Sequence, residues 1–121
     1  MVDEIVMFTV AKGWVESFCT ARDWDQFHSP KDLAIGIETE SAELLSLFRF
    51  KSESEVGRLL NDSGFRTRIG EELADIQYFL LRFAQMYQFD LSGELRAKLK
   101  VNEKRYPISK SGGSSKKHNE L

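Results

Sequence analysis

Glu40 and Glu43 stand three residues apart, and so do Glu72 and Asp75. On a helix this spacing puts both carboxylates of a pair on one face about a turn apart, where like charges repel and weaken an isolated helix. Both pairs lie beside apolar positions, so the arrangement asks for a cause. If the two helices that carry them pack antiparallel, four carboxylates converge on one point. A buried cluster of that kind is untenable alone, because desolvation and repulsion would protonate some of its members. A divalent cation resolves the conflict, and all-oxygen ligands select a hard ion, Mg²⁺ or its substitute Mn²⁺, over zinc. The competing account is a pair of solvated acidic helix faces. A di-iron bundle is disfavoured because its Glu-x-x-His partners are absent. Glu38 lies well off the Glu40 face and Glu71 is one step from Glu72, which makes both supporting or merely exposed acids.

A second set is basic. Lys98, Asn102 and Arg105 follow one another at four and three residues, so they share a helix face, with Tyr106 next to it. An ammonium, an amide and a guanidinium suit phosphate oxygens, hydroxyls or a base edge. Alone they would be an ordinary solvated face; beside an acidic metal site they point to a nucleoside polyphosphate.

Composition limits what else is open. The 121 residues suffice for one compact domain, and 41% hydrophobic with 30% charged residues fits neither a disordered chain nor a membrane protein. No apolar run approaches the eighteen or so residues of a spanning helix. Asp3 and Glu4 stand where a secretory signal carries positive charge. The single cysteine, Cys19, excludes an internal disulfide, and with His28 and His118 as the only histidines a thiolate or imidazole metal site is excluded too. The expectation is a soluble protein of a reducing compartment, the cytoplasm. Net charge is −2 but uneven: nine acids and five bases lie between Glu38 and Asp75, while four bases face one acid from Lys98 to Arg105. That is not the footprint of a nucleic-acid polymer binder.

The elements that must position these groups are helical. Ile5, Phe8, Trp14, Val15 and Phe18 predict a first helix over roughly 2–21. Ser29 as cap with Pro30 at the first helical position predicts a second from Pro30 to about Arg49, burying Leu33, Ile37, Leu44 and Leu47. Ser52 or Ser54 caps a short helix through Leu60, and 61–64 reads as a turn. A third long helix, about Arg66 to Gln88, carries Ile69, Leu73, Ile76, Leu80, Phe83 and Tyr87. Asp90 caps a fourth over 91–105, which Pro107 closes. The Ser-, Gly- and Lys-rich residues 108–121 read as a flexible basic tail carrying +2. No strand-like alternation occurs. The expected architecture is all-α, a four-helix bundle over 1–107 followed by that tail.

With these residues in place, the chain resembles the all-α nucleoside triphosphate pyrophosphohydrolases, the MazG-like group, and is most similar to the dCTP pyrophosphatase branch. The stretches that carry the resemblance are Arg22 to His28, the helix Leu33 to Phe50, Glu71 to Asp75, and Lys98 through Asn102 to Pro107. The ending Lys116 to Leu121 also resembles the branch. The resemblance implies cleavage of a nucleoside triphosphate to the monophosphate and pyrophosphate. It implies Mg²⁺ held by Glu40, Glu43, Glu72 and Asp75, with Glu40 aligning or deprotonating a water. It places Lys98 and Arg105 on phosphate oxygens, Asn102 on sugar or phosphate, and Trp24, His28, Phe50, Phe79 and Tyr106 near the nucleotide. It also implies a homodimer or homotetramer.

Two positions depart from the branch. Phe50 stands where it has tryptophan, and Phe79 where it has tyrosine. Phenylalanine stacks but offers no hydrogen bond, which weakens the case for strict base selection. Two alternatives stay open on sequence alone: a catalytically silent helical interaction module, and a relative acting on dUTP or phosphoribosyl-ATP.

Overall fold

The computed structural model describes residues Met1–Glu120; Leu121, the last residue of the expected tail, lies outside them. Six α-helices occur among the described residues, and no strand. They are α1 Phe8–Thr20, α2 Pro30–Ser46, α3 Glu53–Leu59, α4 Ser63–Tyr87, α5 Leu91–Arg105 and α6 Ile108–Ser111, with 3-10 turns at Val2–Glu4, Asp25–Phe27 and His118–Glu120. The four long helices and the short α3, capped by Ser52, are those expected, and α6 is a short addition.

The caps account for most boundaries. Ser29 Oγ accepts the Asp32 amide at 3.1 Å, and Ser52 Oγ accepts that of Glu55 at 3.2 Å. Asp90 Oδ1 takes the Gly93 amide at 3.2 Å, starting α5 at the expected residue. Of the expected turn at 61–64, Asn61 and Asp62 do link α3 to α4, while Ser63 and Gly64 already begin α4, because Asp62 Oδ2 accepts the Phe65 amide at 2.8 Å. The first helix is also shorter than expected: extended backbone at Met7 separates the 3-10 turn from α1. In the basic tail the structure forms two short helical turns, α6 and His118–Glu120.

The chain divides into two units, Met1–Gln88 and Phe89–Leu121. In the first, α4 packs against both α2 and α1. Contacts along α2 and α4 run in opposite order: Gly36 meets Phe79, and Phe48 meets Phe65 edge-on at 5.8 Å. The two helices are therefore antiparallel, as the carboxylate argument required. Cys19, Leu33, Leu47, Phe65, Leu81 and Ala84 form the buried core. On the α1 side the Cys19 thiol meets the Tyr78 hydroxyl at 3.2 Å. Burial, helped by that hydrogen bond, pushes the Tyr78 phenol up to about 12.

The inward face of α4 differs from the one read from periodicity. Leu73 and Leu80 are exposed, at 52% and 42%, while Arg82, a charged residue, is buried at 1%. Ile5 before α1, and Phe8, Trp14 and Phe18 on it, likewise stand exposed. Aliphatic and aromatic residues on these helices thus occupy more of the circumference than one core covers.

In the second unit, α5 carries Lys98, Asn102 and Arg105 at four and three residues, one face of a helix. Lys98 and Arg105 are exposed and Asn102 half-buried. The helix ends as the Tyr106 amide donates to the Asn102 carbonyl at 2.7 Å. The half-buried Tyr106 ring packs edge-on against His118 at 5.9 Å.

Candidate metal centre and nucleotide pocket

Three of the four carboxylates come together. Glu40 of α2 and Glu72 and Asp75 of α4 each offer an oxygen, and these oxygens lie within 4.8 Å of one another. The antiparallel packing that seats Phe79 on Gly36 also sets this meeting, since Glu40 is one turn beyond Gly36 and Asp75 one turn before Phe79. Glu43 stands outside the group, exposed, one turn from Glu40.

The electrostatics are those of an acidic cluster short of positive charge. Glu40 is pushed above the ordinary carboxylate range, first by desolvation and then by the charges of Asp75, Glu72 and Glu43. A side-chain hydrogen bond with Glu72 adds the smallest push in the same direction. Glu72 Oε2 is buried and has no hydrogen-bond partner among the described residues. A buried, unpartnered carboxylate oxygen is costly unless a cation meets it. The all-oxygen donor set and this orphaned atom fit a hard divalent metal ion.

A second constellation involves residues 24–28. The Trp24 and His28 rings pack edge-on at 6.3 Å, and Trp24 also contacts Phe18 at 5.7 Å. Phe18 in turn meets Tyr78 at 6.2 Å, and Tyr78 meets Phe79 at 5.0 Å. A row of rings therefore runs from His28 to the residue one turn beyond Asp75. Phe79 is half-buried, its ring wedged between α2 and α4 at Gly36.

Phe50 sits apart from this row. It is 92% exposed, its backbone is left-handed at φ +66°, and the Arg49 guanidinium lies 4.5 Å from its ring centroid. Left-handed backbone at a bulky residue is strained, and here it presents a large apolar ring to solvent.

Sequence reasoning missed Arg82 and Asp25. The Arg82 guanidinium donates from Nε to His28 Nδ1 at 2.9 Å and to Gln85 Oε1 at 2.6 Å, and forms an ion pair with Asp25. The Tyr87 hydroxyl donates to the His28 carbonyl at 2.6 Å. The available signal was an arginine on the most apolar helix, flanked by Leu81 and Phe83.

Comparison with known proteins agrees with this architecture. The family model described as the MazG-like family matches residues 35–121. The dCTP pyrophosphatase 1 proteins of Rattus norvegicus and Homo sapiens are 36% and 35% identical over 104 residues, covering 86% of this chain and 61% of each relative. The chain thus spans about three-fifths of the length of these curated relatives. The crystal structure of a pyrophosphatase from Archaeoglobus fulgidus superposes with a TM-score of 0.73 at 30% identity, covering 78% of this chain and 87% of that one. The chain belongs to the MazG-like family.

Proposed function

We propose that this protein is a Mg²⁺-dependent nucleoside triphosphate pyrophosphohydrolase that acts on deoxynucleoside triphosphates, dCTP foremost. It would release the monophosphate and pyrophosphate and so remove unwanted nucleotides from the pool. The observation that carries the reading is the meeting of Glu40, Glu72 and Asp75 around a buried, unpartnered Glu72 oxygen in a MazG-like chain. The names of its relatives, dCTP pyrophosphatase 1, and of the superposed archaeal pyrophosphatase support it.

Glu40, Glu72 and Asp75 would hold Mg²⁺, or Mn²⁺ in its place, and the exposed Glu43 side chain has the freedom to rotate in from the same face of α2. When bound, the ion neutralises phosphate charge and acidifies a water. Glu40 is the proposed base, on the family resemblance and its place in the close carboxylate group. The water oxygen bonds to phosphorus as the bond to the bridging oxygen breaks, and pyrophosphate leaves. Lys98, Asn102, Arg105 and Tyr106 are assigned to phosphate and sugar on residue type and family resemblance. Trp24, His28, Phe50 and Phe79 are assigned to the nucleoside.

The exposed apolar residues of α1 and α4, Trp14, Phe18, Leu73 and Leu80 among them, support a homodimer or homotetramer. No helix of the described residues is long and apolar enough to cross a membrane. With a buried free thiol at Cys19, this supports a cytoplasmic protein. The deciding experiment is pyrophosphate release from a panel of dNTPs, NTPs and 5-modified dCTP, with and without Mg²⁺. Mg²⁺-dependent release, fastest from dCTP, is expected; none at micromolar protein would overturn the reading and leave the silent binding module.

A further inference from the structure

Arg82 is the one charged residue of the described chain that is buried, and each of its three guanidinium nitrogens has an acceptor. A charge so placed is expensive unless fully partnered, and a leucine would fill the same space without that cost. Its partners come from three places: Gln85 one turn on in α4, Asp25 in the 3-10 turn, and His28 just before α2. Asp25 is itself 59% exposed, so the ion pair is not what closes the core.

The hydrogen bond to His28 has a definite chemical consequence. A guanidinium only donates, so His28 Nδ1 must accept, and the ring proton must be on Nε2. The Tyr87 bond to the His28 carbonyl holds the backbone beneath the ring. Among the described residues Nε2 has no hydrogen-bond partner, and the half-exposed Trp24 ring packs edge-on against the imidazole. We infer that Arg82 is a positioning residue for the nucleotide, locking the His28 ring in its Nε2–H form as a fixed donor beside Trp24 for an acceptor atom of the bound nucleotide. This rests on the assignment of Trp24 and His28 to the nucleoside. The charged groups facing His28 are Arg82 from α4, Asp25 from the 3-10 turn and Asp32 from α2. Burial and Arg82 hold its proton affinity below the ordinary value, against the pull of the two aspartates.

The test combines ¹⁵N spectra of the His28 ring in the full chain with steady-state kinetics on dCTP. The wild type is expected to show only the Nε2–H form and to titrate below 6.5, the ordinary histidine value. Arg82→Met should raise the titration, because both aspartates remain. Asp25→Asn should lower it further, because only Asp32 then opposes Arg82. A merely structural Arg82 would instead send both variants toward 6.5. Arg82→Met and His28→Ala should each raise KM about tenfold with kcat within about twofold, and the double variant should be no worse than either single one. If Arg82→Met fails to fold, the wild-type spectra still decide the ring form, and the downward shift in Asp25→Asn still tests the charge of Arg82 on it. A wild-type Nδ1–H form, or an unchanged KM in folded Arg82→Met, overturns the inference. Absence of turnover in the wild type on every nucleotide would defeat the pyrophosphohydrolase reading and the nucleotide role with it, while the spectra would decide the Arg82–His28 lock separately.

Discussion

Gly36 and Phe79 touch so closely across α2 and α4 that a Cβ on Gly36 would lie 2.5 Å from two atoms of the Phe79 ring. The ring fills the place of the missing side chain, and that fit sets the helix separation one turn from the carboxylates. Gly36→Ala should therefore cost about 1–3 kcal/mol, as overpacking does, despite the higher helix propensity of alanine. It should also weaken divalent-metal binding. Urea unfolding and calorimetric Mn²⁺ titration of the variant check both, and adding Phe79→Leu should recover part of each loss. Unchanged metal affinity would show that the wedge does not set the carboxylate geometry.

The carboxylates should separate by their effect on the metal-free fold. Glu40→Gln, Glu43→Gln, Glu72→Gln and Asp75→Asn are each expected to lower turnover at saturating Mg²⁺ by at least about 10–100-fold, the loss typical of residues that merely support metal ligands. Only the variants within the close group, Glu72→Gln above all, should raise apo stability. There the amide supplies a donor to neighbouring carboxylates and removes an unpartnered buried oxygen. Glu43→Gln, on an exposed side chain, should leave it unchanged. Thermal unfolding in EDTA beside activity assays reads both.

A pH dependence follows from Glu40. Its native proton affinity is raised, so the folded state binds the proton more tightly than the unfolded chain does. Stability from this group is present below the unfolded value of 4.5 and is lost as pH rises from there through the native value. The difference between wild type and Glu40→Gln, followed by chemical denaturation in EDTA from pH 4 to 8, should grow in favour of the variant. Added Mg²⁺ should reverse that trend in the wild type, since the cation replaces the proton as the compensating charge.

Phe50 couples strain to an exposed ring. Phe50→Gly should stabilise the fold by up to about 1 kcal/mol, because glycine adopts left-handed backbone freely. The same change should raise KM for dCTP, as loss of a stacking surface worth about 1–3 kcal/mol does. Phe50→Trp should lower KM. A Phe50→Gly variant with unaltered KM would remove Phe50 from the nucleotide site.

Base selectivity is expected to be modest. dCTP should be cleaved best and other deoxynucleotides measurably, and Phe79→Tyr should sharpen the preference in kcat/KM by restoring a hydroxyl to the edge of the α2–α4 wedge. Outright rejection of dATP, dGTP and dTTP by the wild type would contradict this.

The legible parts of this molecule were those with local causes. Ser29-Pro30 and Asp90 announce α2 and α5 because a cap acts on amides two or three residues away. The carboxylate spacing was visible because a helix turns every 3.6 residues. Asp62 misled because a turn and an N-cap use the same residue types. Arg82 was invisible because its partners His28 and Asp25 lie 54 and 57 residues away. Nothing in the composition around Phe50 marks a left-handed residue, since glycine or asparagine would be the usual occupant. The exposure of Leu73 and Leu80 was hidden for another reason: periodicity reveals that a stripe is apolar but not which neighbour covers it.

Cys19, sealed at the α1–α4 contact against the Tyr78 hydroxyl, is the only thiol in the chain. It is therefore a built-in clock for the parting of those two helices. A small disulfide reagent in excess can modify it only during an opening, so the labelling rate measures how often α1 lifts from α4. Set beside the rate for the unfolded chain, it gives the free energy of that opening without any mutation. Nucleotide or Mg²⁺ that tightens α4 would slow the clock, making one sulfur atom a reporter of events at the carboxylates of the same helix.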